Sequence, residues 1–103
     1  MSKIDTFEKM LADGNDNALL RYSLGNEYAQ ADNHVKALDH LTRAVELNPD
    51  YSAAWKLYAK TLKDSGDTQA AIAAYEKGIQ VAEKNGDIQA VKEMRVFLKR
   101  LQK

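Results

Sequence analysis

The feature of this sequence that most limits its fold is an internal repeat, since the chain matches itself when it is shifted by 34 residues. The aligned pairs include Gly25 with Ala59, Tyr28 with Leu62, Ala37 with Ala71, and Leu41 with Tyr75. Small residues thus align with small ones and large apolar residues with large ones. A period of roughly 20–50 residues indicates one structural unit repeated along the chain, each copy burying its apolar face against the next.

Each copy divides into two predicted helices at a short polar break. Apolar residues recur at spacings of three and four, Pro49 is the only proline, and no segment shows the alternation of a strand. We therefore predict an all-α fold of about six helices, with Asn33 and Asp67 capping the second helix of each pair. The predicted helices cover 3–13, about 17–31, about 34–47, about 51–64, about 68–84 and 87–102.

The paired small residues predict close helix packing. Gly25 and Ala59 lie in the middle of their helices, where glycine costs about 1 kcal/mol relative to alanine. A bare backbone at such a position indicates that a neighbouring helix approaches it closely. Ala37 and Ala71 are the expected small partners on the second helix of each pair.

These positions resemble the tetratricopeptide repeat (TPR) family. The second copy carries Trp55, Tyr58, Ala59, Leu62, Ala71 and Tyr75 at the family's spacing, and the first carries Leu24, Gly25, Tyr28, Ala37, Leu41, Ala44 and Pro49. Arg21 stands where the family usually has tryptophan, and Glu83 stands where a second closing proline would be. The resemblance implies a single domain over 1–103, a superhelix of antiparallel helix pairs with repeats at 18–51 and 52–85, between an N-terminal and a C-terminal capping helix. The chain is also similar to small stand-alone bacterial TPR proteins.

Composition limits the functions open to this chain. Its 103 residues include no cysteine, so disulfides and thiolate metal sites are excluded, and no apolar run approaches the roughly 20 residues of a membrane span. We expect a cytoplasmic protein without a membrane partner. The net charge of zero combines 15 basic and 15 acidic residues, but residues 1–50 carry an excess of acid and residues 51–103 an excess of base.

The sequence contains no recognisable catalytic constellation. Its only histidines, His34 and His40, are six residues apart and so do not share a helical face at metal-ligand spacing. The aspartates at predicted helix boundaries, Asp13, Asp16, Asp32, Asp50 and Asp87, are interpreted as caps and favourable dipole charges. We expect a protein that is not an enzyme and has no cofactor and no metal site.

The TPR resemblance implies a peptide-binding groove lined by the first helix of each pair. The candidate groove residues are Leu19, Tyr22, Asn26, Ala29, Ala53, Lys56, Lys60 and Lys63. Because like charges at a spacing of four repel by a few tenths of a kcal/mol, the lysines favour an acidic peptide as the partner. Lysines on a helix are more often ordinary solvated surface, the more so here because Asp64 follows Lys60 by four residues, and the sequence leaves both interpretations open.

A known TPR site is expected to be absent. The carboxylate clamp of chaperone-binding TPR domains uses basic and asparagine residues from three successive helices, and only Asn26 matches it. Its other positions hold Tyr22, Leu57, Asp87 and Val91.

Two other functions remain as alternatives. The chain could form a homo-oligomer in which the acidic half of one copy meets the basic half of another, helped by an apolar edge at Val96 and Phe97. Nucleic-acid binding ranks third and is not expected. Lys92, Arg95, Lys99, Arg100 and Lys103 form a basic cluster, but Glu93 interrupts it and no aromatic platform accompanies it.

Overall fold

The computed structural model describes residues 2–103, and within them it shows six α-helices and no strand, which confirms the predicted all-α class. The helices are α1 Lys3–Ala12, α2 Ala18–Gln30, α3 His34–Leu47, α4 Ser52–Asp64, α5 Thr68–Asn85 and α6 Ile88–Leu101. The observed ends differ from the sequence expectations by no more than one residue. The division into repeats at 18–51 and 52–85 stays a prediction.

Local polar residues explain where the helices begin. Asn33 and Asp67 accept hydrogen bonds from the backbone amides of Lys36 and Ala70, both at 3.2 Å, which confirms the predicted caps. α4 is the exception, since no side chain caps it and it is entered through the turn at Pro49. The Trp55 indole Nε1 donates to the carbonyl of Pro49 at 2.8 Å. This side chain at the start of α4 therefore stabilises the turn that precedes the helix.

The five aspartates at the helix boundaries have different roles in the structure. Asp87 does accept from the Ala90 amide at 3.2 Å, as expected. The capping interpretation is wrong for Asp16, which forms a two-pronged ion pair with Arg21 at 2.8 and 3.0 Å. It is also wrong for Asp32, whose backbone is left-handed at φ 58°. Asp13 and Asp50 instead pair with Lys9 and Lys84.

The stacking of the helix pairs curves the molecule. Cα atoms of α2 come within 8 Å of α4, and those of α4 within 8 Å of α6, whereas α3 and α5 do not approach each other so closely. α2, α4 and α6 therefore lie on the inner side of the curve, and α3 and α5 lie outside. We call the surface of α2, α4 and α6 the inner face.

Two large apolar clusters, and a smaller one where α3 meets α4, hold the stack together. Leu24 and Leu41 are fully buried between α2 and α3, while Tyr75 and Met94 are buried among α4, α5 and α6. A Cβ added to Gly25 would lie 2.5 Å from the Leu41 Cγ, which confirms the close approach expected there. Tyr58 contacts both large clusters, so burial is continuous from one helix pair to the next.

Candidate functional site: a polar cavity on the inner face

The structure brings three of the eight predicted groove residues into one cavity. Asn26 and Ala29 of α2 face Lys60 of α4 across a cavity of about 320 Å³. Its remaining lining residues are Gln30, His34, Leu57, Thr61 and Asp64. We call this site the α2–α4 cavity.

The α2–α4 cavity carries hydrogen-bonding groups that the fold leaves available. Within the described residues, the side-chain amides of Asn26 and Gln30 make no hydrogen bond to another part of the chain. Thr61 differs, because its hydroxyl donates to the Leu57 carbonyl at 2.8 Å within α4. A primary amide offers two donors and an acceptor, so the half-buried amide of Asn26 and the exposed amide of Gln30 can pair with the backbone of an extended peptide.

The three predicted lysines are each paired with a carboxylate of the chain itself. The Lys56 Nζ lies 3.1 Å from Glu93 of α6, Lys60 lies 2.9 Å from Asp64, and Lys63 lies 3.4 Å from the same Asp64. An anionic partner is therefore not needed to relieve repulsion among the lysines, and the acidic character of the partner stays a prediction.

The Asp64 carboxylate borders the cavity and pairs with both Lys60 and Lys63. Partial burial would raise the pKa of its carboxyl, but the hydrogen bonds and charges of Lys60 and Lys63 outweigh this and hold the pKa below its usual value. The carboxylate is thus ionised at neutral pH and shared by two lysines. The pairs are largely solvated, and exposed pairs of this kind contribute at most about 1 kcal/mol each.

The other predicted groove residues lie outside the cavity. Leu19 is 65% exposed and lines a smaller apolar recess of about 170 Å³ with Phe7 and Met10 of α1. Tyr22 packs against Tyr51 with ring centroids 5.1 Å apart, which makes it part of the contact between helix pairs. Ala53, Lys56 and Lys63 are on α4 but do not line the cavity.

Sequence reasoning missed five of the eight residues that line the cavity. Gln30 follows Asn26 by four residues, and Thr61 follows Leu57 by four, so each pair shares one side of its helix. Helical spacing could have found both pairs once α2 and α4 were placed side by side. It could not have found His34, which enters the cavity from the first turn of α3.

A second polar cluster lies between α1, α2 and α3. Arg21, in the family's tryptophan position, donates from Nη1 to the His40 Nδ1 at 3.2 Å and pairs with Asp16. The opposite nitrogen, Nε2, lies 3.6 Å from a carboxylate oxygen of Glu8 on α1. Burial is the main reason that the pKa of His40 is lowered. The cluster joins three helices through polar contacts around the buried His40 and therefore has a structural role.

Stacked antiparallel helix pairs with an open polar cavity on the inner side define a helical-repeat interaction fold. The sequence model of the tetratricopeptide repeat matches residues 28–94, which is more than half of the chain. The chain belongs to the tetratricopeptide repeat family, a non-enzymatic interaction fold. Within residues 2–103, no helix is both long and apolar enough to cross a bilayer.

Known proteins of similar sequence and structure span nearly the whole chain. A TPR repeat-containing protein of Pseudomonas aeruginosa is 50% identical over 98 residues, covering 95% of this chain and 93% of its own length. The solution structure of a Bordetella parapertussis protein superposes with a TM-score of 0.87 at 45% identity, covering 99% of this chain and 89% of that one. A heat-shock protein cognate co-chaperone of Aspergillus fumigatus is 33% identical over 86% of this chain, which matches 26% of its own length.

Proposed function

We propose that this protein is a non-enzymatic interaction module that binds a peptide segment of another protein in the α2–α4 cavity. The observation that carries the proposal is that the half-buried amide of Asn26, the exposed amide of Gln30 and the Lys60–Asp64 ion pair border one cavity. Backbone groups of an extended peptide can pair with the amides. Support also comes from the similarity to a co-chaperone, a class of protein that acts through partner proteins.

An acidic residue in the bound segment is the second part of the proposal. Lys60 and Lys63 share one carboxylate, that of Asp64, so two cations face a single anion. A carboxylate from the peptide would complete this charge pairing at the rim of the cavity. Because the lysines are largely exposed, salt should weaken the contact and the gain should be modest.

The test is selection of peptides from a random twelve-residue phage-display library on the wild-type protein. Selected peptides are then titrated by fluorescence anisotropy against Asn26→Ala and Lys60→Gln. We expect about fivefold weaker binding for Asn26→Ala, since one neutral hydrogen bond contributes about 1 kcal/mol. We expect a smaller loss for Lys60→Gln, together with weaker salt dependence.

The matched control is Lys9→Gln. Lys9 also pairs with an aspartate four residues later near a helix end, at 3.0 Å, but it lies on α1 outside the cavity. This variant should bind the selected peptides as the wild type does. The proposal fails if no peptide is enriched, or if those enriched bind Asn26→Ala and Lys60→Gln with unchanged affinity.

A further inference from the structure

The charged side chains that α6 exposes on its outer side are all basic. Side chains exposed there are Lys92, Arg95, Val96, Lys99 and Arg100, followed by Lys103 beyond the helix end. We call these residues the basic face of α6. Glu93, which interrupts the charges in the sequence, bonds to Lys56 of α4 at 3.1 Å and so belongs to the inner face. The basic face therefore carries no carboxylate of its own helix.

The role of α6 as a terminal cap does not account for this charge. Cations in a last turn are favoured by the helix dipole, which explains Lys99 and Arg100. The dipole does not account for Lys92, which lies one turn into α6 from its N-terminal end. Among the basic-face residues, only Arg95 is paired, with Glu83 of α5 at 2.8 Å. A cap needs only a polar outer surface, and like charges at spacings of three and four are mildly repulsive.

Two exposed aliphatic side chains accompany the charges. Ile88 is 60% exposed and Val96 is 49% exposed, eight residues apart on the same side of α6 and about 12 Å apart along its axis. Val96 also borders a shallow recess of about 330 Å³ beside Leu98 and Lys99. The surface thus combines apolar anchor points with a rim of cations.

The aromatic side chain of α6 is not part of this surface. Phe97 packs on Tyr75 at 5.9 Å between ring centroids, and the Arg100 guanidinium lies over it at 5.8 Å. The expected apolar edge at Val96 and Phe97 therefore consists of Val96 without Phe97. Since stacking platforms for bases are aromatic, the charges and aliphatics favour a protein partner over a single-stranded nucleic acid.

We propose that the basic face of α6 docks an acidic amphipathic helix of another protein. Charge complementarity identifies the occupant: carboxylates of the partner pair with Lys92, Lys99 and Arg100, while its aliphatic side chains cover Ile88 and Val96. An α-helix presents residues seven or eight positions apart on one side, which matches the spacing of these two side chains. This surface is separate from the α2–α4 cavity and does not depend on the function proposed for it.

The probe is a synthetic eighteen-residue helical peptide with two leucines eight residues apart and glutamates flanking them. A peptide of the same composition with the leucines on opposite sides is its control. Titration of the ¹⁵N-labelled protein should shift amide resonances in α6 and leave those lining the α2–α4 cavity unchanged. The control peptide should bind at least about fivefold more weakly than the probe. Raising the salt concentration should weaken the binding of both peptides.

Variants separate the contribution of the lysine charges from that of the apolar side chain. We expect Lys92→Gln with Lys99→Gln to lower affinity for the probe by about tenfold, and Val96→Ser by about threefold. Lys77→Gln, which removes an exposed cation from α5, should leave it unchanged. Unaltered thermal melting would show that each variant is folded.

Four outcomes would overturn the proposal. They are shifts confined to helices other than α6, equal affinity for both peptides, unchanged binding by the Lys92→Gln/Lys99→Gln variant, and tighter binding of a twenty-nucleotide single-stranded DNA. Self-association that sedimentation detects in the wild type and that Val96→Ser abolishes would instead assign the face to a second copy of this chain.

Discussion

Replacing Gly25 by alanine should destabilise this protein although it improves helix propensity. Alanine is favoured over glycine in a helix interior by about 1 kcal/mol. At this position, however, the new Cβ would lie 2.5 Å from the Leu41 Cγ and 2.6 Å from its Cδ2. Leu41 is fully buried, and a close-packed core leaves its side chain little room to move aside.

The expected net effect follows from comparing these two terms. Forcing an extra methyl group into a closed core typically costs about 1–3 kcal/mol. After the propensity gain is subtracted, we expect the free energy of unfolding to fall by about 0–2 kcal/mol, centred near 1. For a domain of this size, 1 kcal/mol corresponds to a decrease in Tm of about 4–8 °C. Urea unfolding followed by circular dichroism would measure the change.

A double-mutant cycle tests the cause of the effect. In a Leu41→Ala background the obstructing atoms are gone, so Gly25→Ala should become stabilising by about 1 kcal/mol. Leu41→Ala alone lowers the free energy of unfolding by about 2–5 kcal/mol. Unfolding should therefore be measured in both backgrounds with trimethylamine oxide present, because this osmolyte stabilises the folded state. Ala59→Gly, at the equivalent position of the second repeat, should destabilise. The reasoning is refuted if Gly25→Ala is stabilising in the wild type, or if its effect is the same in both backgrounds.

Three further predictions concern single residues. The pKa of His40 is lowered from its ordinary value of 6.5, so the folded protein holds fewer protons than the unfolded chain and stability should decline as pH falls below about 6.5. Thermal melts from about pH 7.5 to 5.5 should show this decline in the wild type and in His34→Gln but a smaller one in His40→Gln; an equal decline in all three would contradict it. Asp32→Gly should raise Tm, because Asp32 has φ 58° and glycine adopts this conformation without strain; a lower Tm would contradict the strain argument. Asp67→Ala should cost about 1 kcal/mol in urea unfolding and Asp67→Asn much less, since asparagine also caps; equal losses would show that the cap hydrogen bond is not the cause.

The sequence predicted the helices of this protein well, because their ends depend on neighbouring residues. Asn33 and Asp67 each bond to a backbone amide three residues later, so the whole interaction lies within one turn. The close packing at Gly25 was also predictable, because glycine in mid-helix lowers helix stability and is favoured only where a neighbour occupies the space of a side chain. The order and approximate length of the elements follow from such local rules.

The candidate site was predicted only in part, because its chemistry depends on which helices become neighbours. Asn26, Ala29 and Lys60 were identified from the resemblance to the TPR family, and they do share one cavity. The Lys60–Asp64 pair at the cavity joins residues four apart on α4 and was foreseeable from the sequence, whereas the partner of Lys56, outside the cavity, was not. Lys56 finds its carboxylate on Glu93, which is 37 residues away in the chain.

The sequence by itself determined the all-α class, the 34-residue repeat and the helix ends, since periodicity and capping act within a turn or between equivalent positions. Only the tertiary structure decided which charges remain unpaired. Glu93 turns towards α4 and accepts a hydrogen bond from Lys56, which leaves Lys92 and Lys99 on a face to which α6 contributes no carboxylate. Such pairing depends on the rotation and distance of packed helices, because an ion pair forms only where two side chains come within about 4 Å.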